Sequence, residues 1–166
     1  MAANAFLTFF DQADGESIQR GREHWVELQG WDWEVEAIAH DNFGGGEGIA
    51  KPVPGTLSCT HLFDSSSIVA LGFIATGSSF AKVQLDMTRA SGKATPETYF
   101  AMTMHRVFLT KVGQSGSADG VVSQRLELAF ESVTIDYRAQ EARTGRLGEP
   151  ATFSWDIPAG TASPSA

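Results

Sequence analysis

The stretch S-Q-R-L-E-L-A-F-E-S-V-T-I-D-Y-R-A, residues 123–139, constrains the fold more than any other. Its apolar residues first fall at even positions, Leu126, Leu128 and Phe130, and then at odd ones, Val133, Ile135 and Tyr137. Period-two alternation marks a strand with one buried face, and one extra residue at Glu131–Ser132 would restore the phase, as a β-bulge does. Bulges let long strands curl into barrels. The stretch 97–112, E-T-Y-F-A-M-T-M-H-R-V-F-L-T-K-V, is also rich in aromatic and β-branched residues and longer than an ordinary strand, so a bend or bulge is expected near His105 and Arg106.

Other segments read the same way. F-A-K-V-Q-L-D-M-T-R-A places Val83, Leu85 and Met87 on one face against Lys82, Gln84, Asp86 and Thr88 on the other. H-W-V-E-L-Q-G-W-D-W-E-V-E-A-I alternates Trp31, Trp33 and Val35 with Asp32, Glu34 and Glu36, and Gly30 joins its halves where a kink or close packing is expected. Only F-D-S-S-S-I-V-A-L-G-F-I-A-T-G-S-S has helical spacing. There Asp64 suits the N-cap, Gly77 a left-handed stop, and Ile68, Leu71 and Ile74 or Ala75 the packed face. The Gly/Ser-rich stretch 111–123 and the stretch 141–151 are expected to be loops, and residues 159–166 a disordered C-terminal tail. About eight strands and one helix follow, a mainly β barrel with a single flanking α-helix.

Composition narrows the function. A chain of 166 residues suits one domain, and 42% hydrophobic with 19% charged residues is globular. A net charge of −8, with scattered basic residues, argues against nucleic acid or an anionic membrane as partner. Arg138, Arg143 and Arg146 come nearest to a basic patch, but Glu141 and Glu149 lie among them, as in a solvated turn. No apolar run reaches the roughly 18 residues of a membrane helix, and M-A-A-N-A-F-L-T-F-F-D-Q lacks a basic leader region, so a cytoplasmic chain without a cleaved signal peptide is expected. The lone Cys59, in an alternating segment, reads as a small buried filler.

No catalytic, cofactor or metal site emerges. The run H-D-N-F-G-G-G-E-G-I-A-K-P-V-P-G, residues 40–55, matches neither phosphate-loop spacing, since Lys51 follows Ala50, Pro52 stands where a metal-binding hydroxyl would be, and the prolines lead into a strand. His24, His40, His61 and His105 form no metal-ligand spacing, D-Q-A-D-G-E-S lacks the alternate oxygens of a calcium loop, and no G-x-S-x-G elbow is present. The glycine run is then either a mobile tip or an arm that orders on a neighbouring subunit.

The pieces F-L-T-F-F-D-Q-A-D-G-E-S, E-L-Q-G-W-D-W-E-V-E, A-K-P-V-P-G-T-L-S-C-T-H-L-F-D-S-S-S, the helix ending A-T-G, A-K-V-Q-L-D-M-T-R-A-S-G, V-F-L-T-K-V-G-Q-S-G-S, L-E-L-A-F-E-S-V-T-I-D-Y-R-A-Q and F-S-W-D-I occur in the order found in one family. From about Phe6 to Ile157 the chain resembles the Hcp family (haemolysin-coregulated protein), the tube protein of bacterial type VI secretion systems.

The resemblance implies a β-barrel-like two-sheet fold with one flanking helix and a long extended loop, spanning a tube domain over residues 1–158. It implies homohexameric rings that stack into a tube, a spike protein at the tip, contractile sheath proteins around it, effector proteins in the lumen, and export by the type VI apparatus. It also assigns ring stacking to the extended loop, Asp41 to Pro54 here, in which Asn42, Phe43, Gly44, Gly45, Gly46, Glu47, Gly48, Lys51 and Pro52 are the candidate contact residues. Where relatives carry Trp-Ser-Trp this chain has Asp32 between its tryptophans, and Ser78 and Ser79 stand where basic or histidine residues are common, so Asp32, Ser78 and Ser79 are candidate lumen-facing positions. The chain ends soon after F-S-W-D-I, and no toxin extension is expected. A phage-tail-tube-like ring protein of another contractile machine is the alternative, and a hydrolase in an unfamiliar barrel the third reading.

Overall fold

The computed structural model describes residues 4–38 and 51–165. Strands β1 (Ala5–Thr8), β2 (Val26–Asp32), β5 (Leu57–Leu62), β6 (Ser79–Arg89), β7 (Glu97–Gly116) and β8 (Val122–Gln140) form a closed barrel: they hydrogen-bond in the order β8-β5-β2-β1-β6-β7, and β7 pairs back onto β8. The length of β8 permits two further strands. Its first half, Ser123–Leu128, pairs with β5 and its second, Ser132–Gln140, with β9 (Leu147–Asp156), which in turn carries β10 (Thr161–Ser165). A separate two-stranded ribbon, β3 (Val35–Ile38) and β4 (Lys51–Pro54), completes the fold.

The phase change in residues 123–139 is real, and its form differs from a bulge. Leu126, Leu128 and Phe130 are buried, then Val133. The facing strand switches with it, from Met102 and Met104 to Val107 and Leu109, and so does β6, from Phe80 to Val83 and Leu85. Register is unbroken across the switch, with His105 opposite both Ser132 and Lys82, and Val107 opposite both Phe130 and Phe80. The extra residues Ala81, Arg106 and Glu131 therefore face one another across three strands and crease the sheet along one line. Arg106 takes a positive φ of 51° there and lies 3.2 Å from Glu131. The Ala81 amide, unpaired in the ladder, donates to Gln12 Oε1 at 2.7 Å. The crease at Arg106 is the bend expected near His105 and Arg106, a further register shift in β7 lies between Leu109 and Lys111, and the kink expected at Gly30 is a shift between Leu28 and Gly30.

Leu7, Leu57, Val83, Leu85, Met102, Met104, Leu126 and Leu128 fill the barrel. The outer face is also covered near β1: Phe6, Asp86 and Thr88 are buried on the face opposite that core, which one-sided alternation of β6 does not anticipate. Residues 13–25 lie over this face. Arg22 Nη2 meets the buried Asp86 Oδ2 at 2.5 Å and also bonds Thr98 Oγ1, and the guanidinium sits 4.7 Å over the Trp25 ring.

Helix α1 (Ser65–Thr76) has the expected caps: Asp64 accepts from the Ser67 amide, and Gly77 ends it at φ 67°. Its packed face matches the expected one only in part: Ile74 packs against the core as expected. Ser66, Ser67 and Ala70 are buried while Ile68 is 61% exposed. The small residues are needed because the Ser67 carbonyl accepts from Gln124 Nε2, whose Oε1 lies 3.1 Å from Nε2 of the fully buried His61. Phe73 supplies the apolar anchor, stacked 4.2 Å from Phe80, which also meets Phe9 at 4.4 Å. Asp64→Ala should lower stability by about 1 kcal/mol in urea titration, the usual effect of losing an N-cap. Further differences are local. The loop expected over 111–123 narrows to Ser117–Val121 between β7 and β8, the one over 141–151 to residues 141–146, and the tail expected to be disordered from 159 pairs with β9 as β10 over Thr161–Ser165.

Candidate functional site

The ribbon β3–β4 leaves the barrel where β2 ends and β5 begins, and its base is fixed by the W-D-W-E and P-G segments. Trp33 Nε1 donates to the Gly55 carbonyl at 3.1 Å, and the Gly55 amide to the Glu34 carbonyl at 2.9 Å. A Cβ at Gly55 would stand 2.9 Å from that carbonyl oxygen, so the close approach requires glycine. Trp31 stacks on Phe100 at 5.3 Å and donates to Met87 Sδ at 3.2 Å. Both tryptophans thus turn inward, and Asp32 between them is exposed.

Pairing along the ribbon sets its faces. Val35 opposes Pro54 and Ala37 opposes Pro52, while Glu36 opposes Val53 and Ile38 opposes Lys51. One face is therefore wholly apolar and the other mixed, because paired residues share a face. Val35 is 44% exposed and Val53 43%, so each face carries an exposed valine among the described residues. Prolines survive in a paired strand only where their missing N–H would point away from the partner, so Pro52 and Pro54 strip donors from the outer edge of β4. That edge is a poor template for another strand, and the ribbon offers a partner its side chains instead.

At the far end of the β2–β5 pair lies a groove of about 770 Å³ between residues 16–18, β2 and the start of α1. Ile18, Leu62 and Phe63 form its apolar part, with Ile18 92% and Leu62 51% exposed. Glu16, Glu27 and Asp64 rim it. Glu16 accepts from the Ser65 amide at the helix start, and Glu27 from Ser17 Oγ, so both carboxylates are held in place.

Of the candidate contact residues, Lys51 and Pro52 lie in β4, as the descending limb of the extended segment, and Asn42, Phe43, Gly44, Gly45, Gly46, Glu47 and Gly48 lie outside the described residues. Asp32, Ser78 and Ser79 are not brought together. Glu27, Phe6 and Asp86 form one cross-strand row, from which Asp32 lies forward along β2 and Ser79 backward along the like-directed β6. Asp32 consequently neighbours the ribbon, and Ser78–Ser79 the end of α1. The groove carried no sequence signal, since Ile18 stands alone in a polar loop and Leu62 alternates like any strand residue.

Cys59 is buried opposite Trp31, and burial, reinforced by Asp32, pushes its thiol up to about 12, which leaves it un-ionised at neutral pH. His61 is held by Gln124 and by the Leu62 carbonyl, 2.7 Å from Nδ1, as a core residue.

Comparison with known proteins gives a consistent picture. The sequence pattern of the family described as Type VI secretion system effector, Hcp, matches residues 6–141. The chain is 26% identical over 158 residues to Protein hcp1 of Pseudomonas aeruginosa, covering 95% of this chain and 96% of that one. It is 28% identical over 107 residues to the Major exported protein of the same organism, covering 63% and 59% respectively. The crystal structure of Hcp1 from Salmonella typhimurium superposes with a TM-score of 0.77 at 25% identity, covering 98% of this chain and all of that one.

Proposed function

The chain belongs to the Hcp family of type VI secretion proteins, and from that premise we propose that it is a structural subunit of the secretion inner tube. Six copies close head to tail into a ring, rings stack into a tube, and effector proteins travel in the lumen. A heterologous interface that closes makes a ring, and one that does not close makes a filament, so a tube needs one of each. The observation that supports the stacking part of this reading is the ribbon at one end of the barrel, anchored through Trp33 and Gly55, exposed at Val35 and Val53 and poor at adding a strand.

The role is one of assembly rather than of catalysis. The spike protein, the sheath proteins and the effectors are its partners, and it is exported by the apparatus after folding in the cytoplasm, with residues 1–158 as the tube domain. The test is native mass measured across micromolar concentrations together with electron microscopy of the same samples. A mass of about six protomers and flat rings with a central opening are expected. A monomer at every concentration would remove the ring reading and leave the fold assignment standing.

A further inference from the structure

Beneath the first turn of α1 lies a polar cluster that packing of the core does not require. His61 of β5 is wholly buried and stands opposite Gln124 of β8 on one side and Leu28 of β2 on the other. Both of its ring nitrogens meet oxygen: Nδ1 lies 2.7 Å from the Leu62 carbonyl and 3.9 Å from Asp64 Oδ1, and Nε2 lies 3.1 Å from Gln124 Oε1. The Gln124 oxygen faces the ring because the amide nitrogen donates to the Ser67 carbonyl at 3.4 Å, and reversing the amide would set two oxygens against each other there. A neutral imidazole has one N–H and one lone pair, so one of its nitrogens would point a lone pair at an acceptor in the interior. An imidazolium has two N–H groups and satisfies both oxygens.

We infer that His61 is carried as the imidazolium and that its second proton latches α1 to the barrel, which makes the seating of the helix sensitive to pH. Each ring nitrogen is linked to the same helical turn. Nδ1 faces Asp64, the N-cap, whose Oδ1 accepts from the Ser67 amide, and Nε2 donates to Gln124, which donates in turn to the Ser67 carbonyl. Removing one proton leaves an acceptor facing an acceptor and takes the positive charge away from Asp64. Relief requires Gln124 to turn over, which breaks its bond to Ser67, or the first turn of α1 to lift.

The surroundings suit a cation. From β2, β8 and β7 the neighbouring positions are Leu28, Gln124 and, opposite Gln124, Gln114, all uncharged, and α1 presents Ser66 and Ser67 on its buried face. Cys59, two residues along β5, is un-ionised, and Arg125 alternates to the other face of β8, where its side chain is 58% exposed. Asp64 is the charge the ring meets, and Glu16 and Glu27 stand with it around the groove. Burying a charge is costly unless it is paired and hydrogen-bonded, and His61 has both forms of compensation. The seated chain thus holds a proton that the released helix does not require, so seating is strongest at low pH and weakens as pH rises, by up to about tenfold per pH unit for one linked proton. All of these groups belong to one chain, and the inference does not rest on ring closure or stacking.

The test uses the full chain, isotope-labelled at histidine nitrogen, beside His61→Gln, whose missing resonances identify the ring. At about pH 7 both His61 nitrogens are expected to resonate as protonated, and one nitrogen with the far-downfield resonance of a bare imidazole nitrogen overturns the inference. Hydrogen-exchange protection factors, corrected for intrinsic exchange, are then followed over Ser65–Thr76 from about pH 5 to 9. They should fall with rising pH by up to about tenfold per unit in the parent chain, more than those of β6 and β7, and stay level in His61→Gln. Asp64→Asn keeps a capping oxygen without the charge, so its decline should begin at lower pH. A level profile in the parent chain, an equal decline in His61→Gln or an unshifted decline in Asp64→Asn each overturns the latch. If His61→Gln does not fold, the ring is identified by its contacts with Leu62 and Gln124, and the parent and Asp64→Asn profiles decide.

Discussion

Arg22→Met is expected to lower unfolding stability by about 3 kcal/mol, read as a shifted urea midpoint at fixed protomer concentration. Arg22 and Asp86 form a contact 2.5 Å long with side-chain exposures of 18% and 3%, and Arg22 reaches it from a loop that has no regular structure of its own. Removing the cation leaves Asp86 charged beneath the loop, with only Gln84 Nε2 and Thr98 Oγ1 still donating to it. Breaking a buried pair from one side commonly destabilises by about 3–5 kcal/mol, and those remaining donors place this case at the lower end. The attraction itself is not the main quantity lost. The double variant Arg22→Met/Asp86→Leu removes the stranded charge and should recover most of the stability, because a packed apolar pair of similar volume is often as stable as a buried ion pair. Failure of the double variant to recover would mean that the Arg22–Asp86 attraction itself, and not the stranded charge, is the main quantity lost.

Phe80→Ala is expected to have the larger effect, about 3–5 kcal/mol, the range for truncating a buried aromatic. Its ring is fully buried between Phe9, at 4.4 Å and 33°, and Phe73, at 4.2 Å and 15°. Phe73 is the one aromatic that α1 turns toward the barrel, where Val69 and Ile74 also pack, and the fully buried helix residues are Ser66, Ser67 and Ala70. The substitution therefore leaves a void beside both rings and weakens the apolar hold on the helix. Hydrogen exchange should accelerate in Ser65–Thr76 more than in β2 or β5. Phe80→Leu, which keeps most of the volume, should lose roughly half as much. Uniform acceleration across the barrel would show that Phe80 supports the whole core rather than the helix.

How much of this was legible in the sequence depends on the kind of signal. Local rules read well: the phase change after Phe130, the caps Asp64 and Gly77, the irregularity at Gly30 and the inward tryptophans flanking Asp32 all follow from side-chain alternation and backbone chemistry over a few residues. Features set by a distant neighbour did not. Ile68 fits a helical stripe as well as Ala70 does, but the space beneath α1 is shaped by His61 and Gln124 from two strands, and only small residues fit it. Thr161–Ser165 has the composition of a tail and is a strand because β9 presents an edge to it. The groove is a product of three segments meeting at Ile18, Glu27 and Leu62, and no single one announces it.

The crease along Ala81, Arg106 and Glu131 has a consequence for how such a barrel can change in length. Each of these residues is an added count in its strand, and the three counts cancel because they are aligned. Deleting one alone would turn half of that strand inside out while its neighbours kept their orientation, whereas losing all three together would preserve every pairing. The line thus acts as a shared frame, in the sense that a reading frame is shared: variation in length there must be concerted across strands distant in sequence, whereas independent change belongs in connections such as those at 90–96, 117–121 and 141–146.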